Sequence, residues 1–213
     1  MKILLVTSVH PWSRSVSTIQ KWTRAGRALG HDVAVYGDPL PDLPSLPEGF
    51  DAVVAGLVLN FLPGPAEGVA AMAARARAGG TVAAYVWDYA EGMALMRVFW
   101  DAASALDAAA RELDEAVRFP LCQPDALQET FQAAGLRDVR VQPIVVPTPF
   151  RDFDDYWTPF LGGQGPAPGY VSSLEPDGRA RLREAIRTRL PTGADGAISL
   201  AARAWAVRGI MPA

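Results

Sequence analysis

The chain of 213 residues has one cysteine, Cys122, and two histidines, His10 and His31. A lone thiol closes no intramolecular disulfide, and no Cys/His grouping has zinc spacing, so a disulfide scaffold is excluded and no metal is expected. A surplus of charge is also missing. Lys plus Arg number 20 against 23 Asp plus Glu, for a net charge of −3, which leaves no basic field to hold nucleic acid or an acidic membrane. Long apolar runs are absent too: the longest near-continuous stretch, Ala52 to Leu59, is eight residues, against roughly 18 for a spanning helix. Met1 to Val6 lacks the apolar region and cleavage site of a signal peptide. The expectation is a soluble, cytoplasmic protein with neither nucleic acid nor membrane as partner. Apolar material is plentiful, at 50% of residues with 20% charged, enough for the core of one globular domain spanning residues 1–213.

The arrangement alternates. Lys2 to Ser8, KILLVTS, is a short β-branched run that reads as a buried parallel strand. Ser17 to Gly30 places Ile19, Trp22, Ala25 and Leu29 at helical spacing with a glycine stop, and His31 to Gly37, HDVAVYG, reads as the next strand. Pro39 to Gly49 carries four prolines in eleven residues, so it is expected to be an exposed connection without regular structure. Strands come next at Phe50 to Leu59 and Thr81 to Trp87, separated by an alanine-rich helix from Pro65 to Ala78 that stops at Gly79-Gly80. Glu91 to Ala116 reads as one long or one broken helix, Gln123 to Gly135 as a short one, and Val139 to Val146 as a strand. Arg151 to Tyr170 interrupts the pattern with aromatic residues and a GGQGPAPG loop, before a helix at Glu175 to Leu190 and an alternating strand at Ala197 to Arg208. The fold class is therefore α/β and Rossmann-like: a mostly parallel sheet of six or seven strands, helices on both faces, and an antiparallel edge pair from the last two strands.

FDAVVAGLVLNFLPGP, the alanine helix with its GG stop, TVAAYVWDY, FPLCQPDALQETFQAAGL and AISLAARAWAVRG together resemble a class I S-adenosylmethionine-dependent methyltransferase, over about residues 48–208. That resemblance implies S-adenosylmethionine as cofactor, a small-molecule acceptor, and a lid-like insertion at 150–170. The first 46 residues depart from it. In that family a glycine-rich turn comes after the first strand, because glycine lets the backbone approach the cofactor; here the turn is Thr7 to Ser13, with no glycine. MKILLVTSVHPW, RALGH and DVAVYG instead resemble the start of a two-Rossmann-domain glycosyltransferase. The seam would fall at 46–49, where one strand and two helices of the methyltransferase pattern are missing.

The resemblance assigns Ser8, Asp38, Gly56, Leu57 and Asn60 to the cofactor, with Asp38 on the ribose hydroxyls and the others beside the first turn and the methionine end. His10 and Asp88 are the candidate catalytic residues, and Trp87, Tyr89, Tyr156 and Trp157 the acceptor-facing ones. Ser13, Arg14, Ser15 and Ser17 precede a helix N-terminus, which favours an anion. Each has a plain structural reading as well: an Asp-Pro turn at Asp38, a tight turn with Leu57 and Leu59 in the core, serine caps, a loop histidine, and aromatics that bury the insertion against the sheet. Two other functions stay open, a non-catalytic Rossmann-like domain and a fragment that binds a nucleotide sugar. Without the glycine turn, S-adenosylmethionine binding is expected to be weak and methyl transfer impaired.

Overall fold

The computed structural model describes residues 1–6, 15–36, 47–162 and 165–213. Among the described residues, six strands form one sheet: β1 Lys2–Val6, β2 Asp32–Tyr36, β3 Phe50–Gly56, β4 Ala76–Trp87, β5 Arg137–Phe150 and β6 Ile198–Ile210, in the order β2-β1-β3-β4-β6-β5. The helices are α1 Ser15–Ala28, α2 Pro65–Arg75, α3 Ala94–Leu106, α4 Glu115–Arg118, α5 Pro124–Ala133, α6 Phe153–Trp157, α7 Pro166–Ser173 and α8 Pro176–Arg187. β1 pairs in parallel with both β2 and β3, and β3 with β4. The first strand thus lies beside the Phe50 strand with the second strand outside it, and the sheet closes without a further strand between them. β6 runs the other way. The residue just past its end, Met211, donates to the Gly80 carbonyl at 2.8 Å while Asp88, beyond the opposite end of β4, donates to the Arg203 carbonyl at 3.0 Å, the reversed numbering of an antiparallel ladder. β5 and β6 form the antiparallel edge pair.

The chain divides into two compact units. The sheet unit comprises Met1–Val86, Gln123–Pro143 and Trp205–Ala213. In it Leu4, Val6, Val53, Ala55, Val82, Ala84 and Val86 line one face of β1, β3 and β4, each at most 3% exposed. α2 lies against β3 and α5. The AAGL segment ends α5 as its pattern predicts: Gly135 takes φ +81° and Leu136 donates back to the Phe131 carbonyl, a left-handed stop that glycine adopts most cheaply.

The helical unit comprises Trp87–Cys122 and Ile144–Ala204. Its core is aromatic: Phe99 stacks on Phe160 at 4.6 Å between centroids and meets Trp100 edge-on at 4.9 Å. The Arg151 to Tyr170 stretch, read in the sequence as an aromatic segment with a loop, forms α6, a 3₁₀ turn at Thr158–Phe160 and the start of α7. One further boundary differs from expectation, and one open alternative is decided. The helix at Pro65 stops at Arg75, and Gly79-Gly80 lies inside β4, where three residues more than in β3 separate the Phe50↔Ala76 and Ala52↔Thr81 pairs; Arg77, within that bulge, binds Asp51 at 2.7 Å. The segment from Glu91 is broken because Asp107 and Asp114 each cap a new turn, accepting from the Ala109 and Ala116 N–H groups. Of the proline-rich connection, Pro47 to Gly49 is exposed and irregular, and the remainder lies outside the described residues.

Candidate functional site

In open α/β sheets ligands bind at the carboxyl ends of the strands, and in the sheet unit the carboxyl end of β3 is unusual. Gly56 is the last residue of β3 and is in register with Tyr85 of β4. Leu57 comes next with φ +56°, a left-handed conformation that costs a branched side chain about 1–3 kcal/mol. Its N–H donates to the Tyr85 carbonyl at 2.9 Å. The chain then makes a 3₁₀ turn, Leu59–Phe61, that carries Asn60. Asn60 is 7% exposed, and its Nδ2 has no hydrogen-bond partner among the described residues. An orphaned buried amide costs about 1–3 kcal/mol unless an acceptor reaches it. Gly56, Leu57 and Asn60 are therefore brought together at this strand end. Gly56 is not an open cradle, because a methyl group there would lie 2.6 Å from the Tyr85 hydroxyl. Ser8, His10 and Asp38 lie outside the described residues.

In the helical unit, the residues after β4 are held rather than free. Asp88 is 1% exposed; its Oδ2 accepts from Arg203 Nε at 2.6 Å and its Oδ1 from the Glu91 N–H at 3.1 Å. Both carboxylate oxygens are engaged in fixing the turn to β6, a structural part for the residue that the resemblance makes a catalytic candidate. Tyr89 is 9% exposed, its ring centroid 5.7 Å from that of Phe119, and burial, then the charge of Glu115, raises its phenol well above the ordinary tyrosine value. Glu115 is almost fully buried and accepts from Trp100 Nε1 at 2.6 Å. Desolvation raises its carboxyl above the usual range. Burial also pushes the Cys122 thiol up to about 12, with the Asp88 charge adding to it. Trp87 is half-buried.

Tyr156 and Trp157, expected to face an acceptor, are packed in the aromatic core instead. Tyr156 is fully buried and donates its hydroxyl to the Leu95 carbonyl at 2.8 Å, while Trp157 is 4% exposed and lies 11° from parallel with Phe153. Phe153 in turn has the Arg187 guanidinium 4.0 Å over its ring. Sequence reasoning passed over Tyr85 and Glu115. Tyr85 had one legible signal, a bulky residue directly after two alanines in the strand TVAAYVW; Glu115 had none. Among the described residues no group of three or more His, Cys, Asp or Glu could hold a metal ion, and no helix is long and apolar enough to cross a membrane.

Neither a family model nor a curated protein matches the chain. Solved structures do. A candidate methyltransferase from Bacillus halodurans aligns over 100% of this chain and 92% of its own, with TM-score 0.55 at 12% identity. A candidate methyltransferase of an antibiotic biosynthesis pathway from Anabaena variabilis aligns over 97% of this chain and 91% of its own, with TM-score 0.55 at 14% identity. Phosphoethanolamine N-methyltransferase 2 from Haemonchus contortus, in complex with phosphomonomethylethanolamine and S-adenosylhomocysteine, aligns over 100% of this chain and 49% of its own, with TM-score 0.50 at 12% identity. The fold is the Rossmann-like fold of methyltransferases. Two of these alignments span the whole chain, residues 1–46 included.

Proposed function

We propose that the chain binds S-adenosylmethionine at the carboxyl ends of β1 and β3 and transfers its methyl group to a small-molecule acceptor. The observation that carries this reading is the orphaned Asn60 amide beside the strained Leu57, at the strand end where such sheets take ligands. When bound, the cofactor supplies an electrophilic methyl on a sulfonium. Asn60 donates its free N–H to an acceptor atom at the methionine end, Gly56 and Leu57 border it, and Asp38 receives the ribose hydroxyls, with Ser8 in the first turn. Trp87 and Tyr89 remain the acceptor-facing candidates and His10 the candidate base. Positioning is the main demand on such a site, since orientation alone can lower a barrier by about 7–11 kcal/mol. The sequence from Thr7 to Ser13 has no glycine to let a backbone approach the ligand closely, so affinity is expected in the high micromolar range or above.

Calorimetric titration with S-adenosylmethionine, S-adenosylhomocysteine and UDP tests the reading. Binding of S-adenosylhomocysteine, weakened about tenfold by Asn60→Ala, is the expected result, equivalent to roughly 1.4 kcal/mol. Binding of UDP with neither of the two methyl-cycle ligands would replace it with the nucleotide-sugar reading. Silence from all three would leave a Rossmann-like domain without a cofactor.

A further inference from the structure

Resting on that ligand reading, we propose that Tyr85 is the positioning residue of the site: it grips the end of β3 from two sides and so sets where the Asn60 amide points. The grip is backbone and side chain together. The Tyr85 carbonyl accepts from the Leu57 N–H at 2.9 Å. Its ring lies across Gly56 so closely that a methyl group on residue 56 would stand 2.6 Å from the hydroxyl oxygen, 2.8 Å from Cζ and 2.9 Å from Cε1.

A strained backbone persists only where its surroundings over-determine it. The left-handed Leu57 is such a place, and Tyr85 holds both it and the residue before it. Leu57 reverses the chain out of β3; Val58 and Leu59, 0% and 1% exposed, anchor the 3₁₀ turn beyond it; and Asn60 is delivered with its Nδ2 unsatisfied. Removing the ring gives the turn room to relax toward ordinary φ, and the amide three residues later shifts with it. The Tyr85 ring thereby explains why residue 56, at the border of the site, is glycine.

The test compares Tyr85→Phe, Tyr85→Leu, Gly56→Ala and Asn60→Ala. Two readouts apply: affinity for S-adenosylhomocysteine, and the side-chain amide resonances of Asn60 in the ligand-free protein. Tyr85→Phe keeps ring and carbonyl and is expected within about twofold of the parent in affinity, with the Asn60 resonances in place. Tyr85→Leu is expected to weaken binding at least about fivefold and to move those resonances in the absence of ligand, which a loss of stability alone does not do in a folded protein. Gly56→Ala, which displaces the ring from the opposite side, should reproduce the effect and carries the test if Tyr85→Leu does not fold. Asn60 resonances unmoved in both variants would overturn the proposal, as would a Tyr85→Phe protein as weak as Tyr85→Leu. An Asn60→Ala protein that binds like the parent overturns the ligand reading instead, and the resonances then still decide the role of Tyr85.

Discussion

Replacing Arg203 with methionine isolates the part that Asp88 plays. The Asp88 carboxylate is 1% exposed and takes the Arg203 guanidinium on one oxygen and the Glu91 N–H on the other. The surrounding backbone is tied in as well, with Asp88 donating to the Arg203 carbonyl and Arg203 to the Gly92 carbonyl. In Arg203→Met the carboxylate keeps only the Glu91 N–H and is left as a buried, uncompensated charge, which generally costs about 3–5 kcal/mol. The Arg203 side chain is 30% exposed, so water can reach the site and the low end, about 3 kcal/mol, is expected. For a chain of this size that corresponds to a fall in Tm of roughly 6–12 °C. The assay is urea unfolding of the parent, Asp88→Asn, Arg203→Met and the double variant, with a coupling energy of at least about 1.5 kcal/mol between the two positions. A loss below about 1 kcal/mol with no coupling would refute the clamp. So would an Asp88→Asn protein of unchanged stability.

Glu115→Gln should leave stability nearly unchanged in acid and raise it at alkaline pH. The folded carboxyl titrates above its unfolded value, so between the two the native state holds a proton that the unfolded state has released, and stability of the parent falls as pH rises through that window. Melting curves from about pH 4 to about pH 8 check it; a parent that gains on the variant with rising pH contradicts it. Cys122, with its thiol pushed up to about 12, should resist iodoacetamide in the folded protein at about pH 8 and react once unfolded in urea. Native-state alkylation at the rate of a free cysteine is the contrary result.

The architecture was legible where local rules agree with tertiary ones. The β-branched runs at Lys2, Asp32 and Phe50 and the glycine after α5 lie where their patterns put them, because burial on a parallel sheet and a left-handed stop both have sequence signatures. The Gly79-Gly80 stop misled, since the same dipeptide that ends a helix also fits a bulge, and only the Phe50 and Asp51 partners distinguish the two. The site was half-legible. Gly56, Leu57 and Asn60 can be read from their position after a strand, but the grip of Tyr85 is a cross-strand register, which no single stretch of sequence contains. Asp88 and Tyr156 carry groups able to do chemistry, and their structural partners, Arg203 and Leu95, were not legible because they lie 115 and 61 residues away.

The place of β6 in the sheet sets an order on folding. It lies between β4 and β5, although it is the last strand in the sequence. During synthesis, β1 to β4 can assemble as soon as they leave the ribosome, each on a neighbour already made. β5 cannot join them, because its route into the sheet runs through a strand not yet synthesised. At about 5–20 residues per second, the 110 residues that separate the end of β4 from the start of β6 leave β4 with an unpaired edge for about 5–20 seconds, and β5 waits through the last 47 of them. The strand destined to wait through that interval contains Pro143, Pro147 and Pro149, residues that offer no N–H to a passing chain. A nascent chain that must hold an open edge is thereby given a β5 that is a poor template for any partner other than its own.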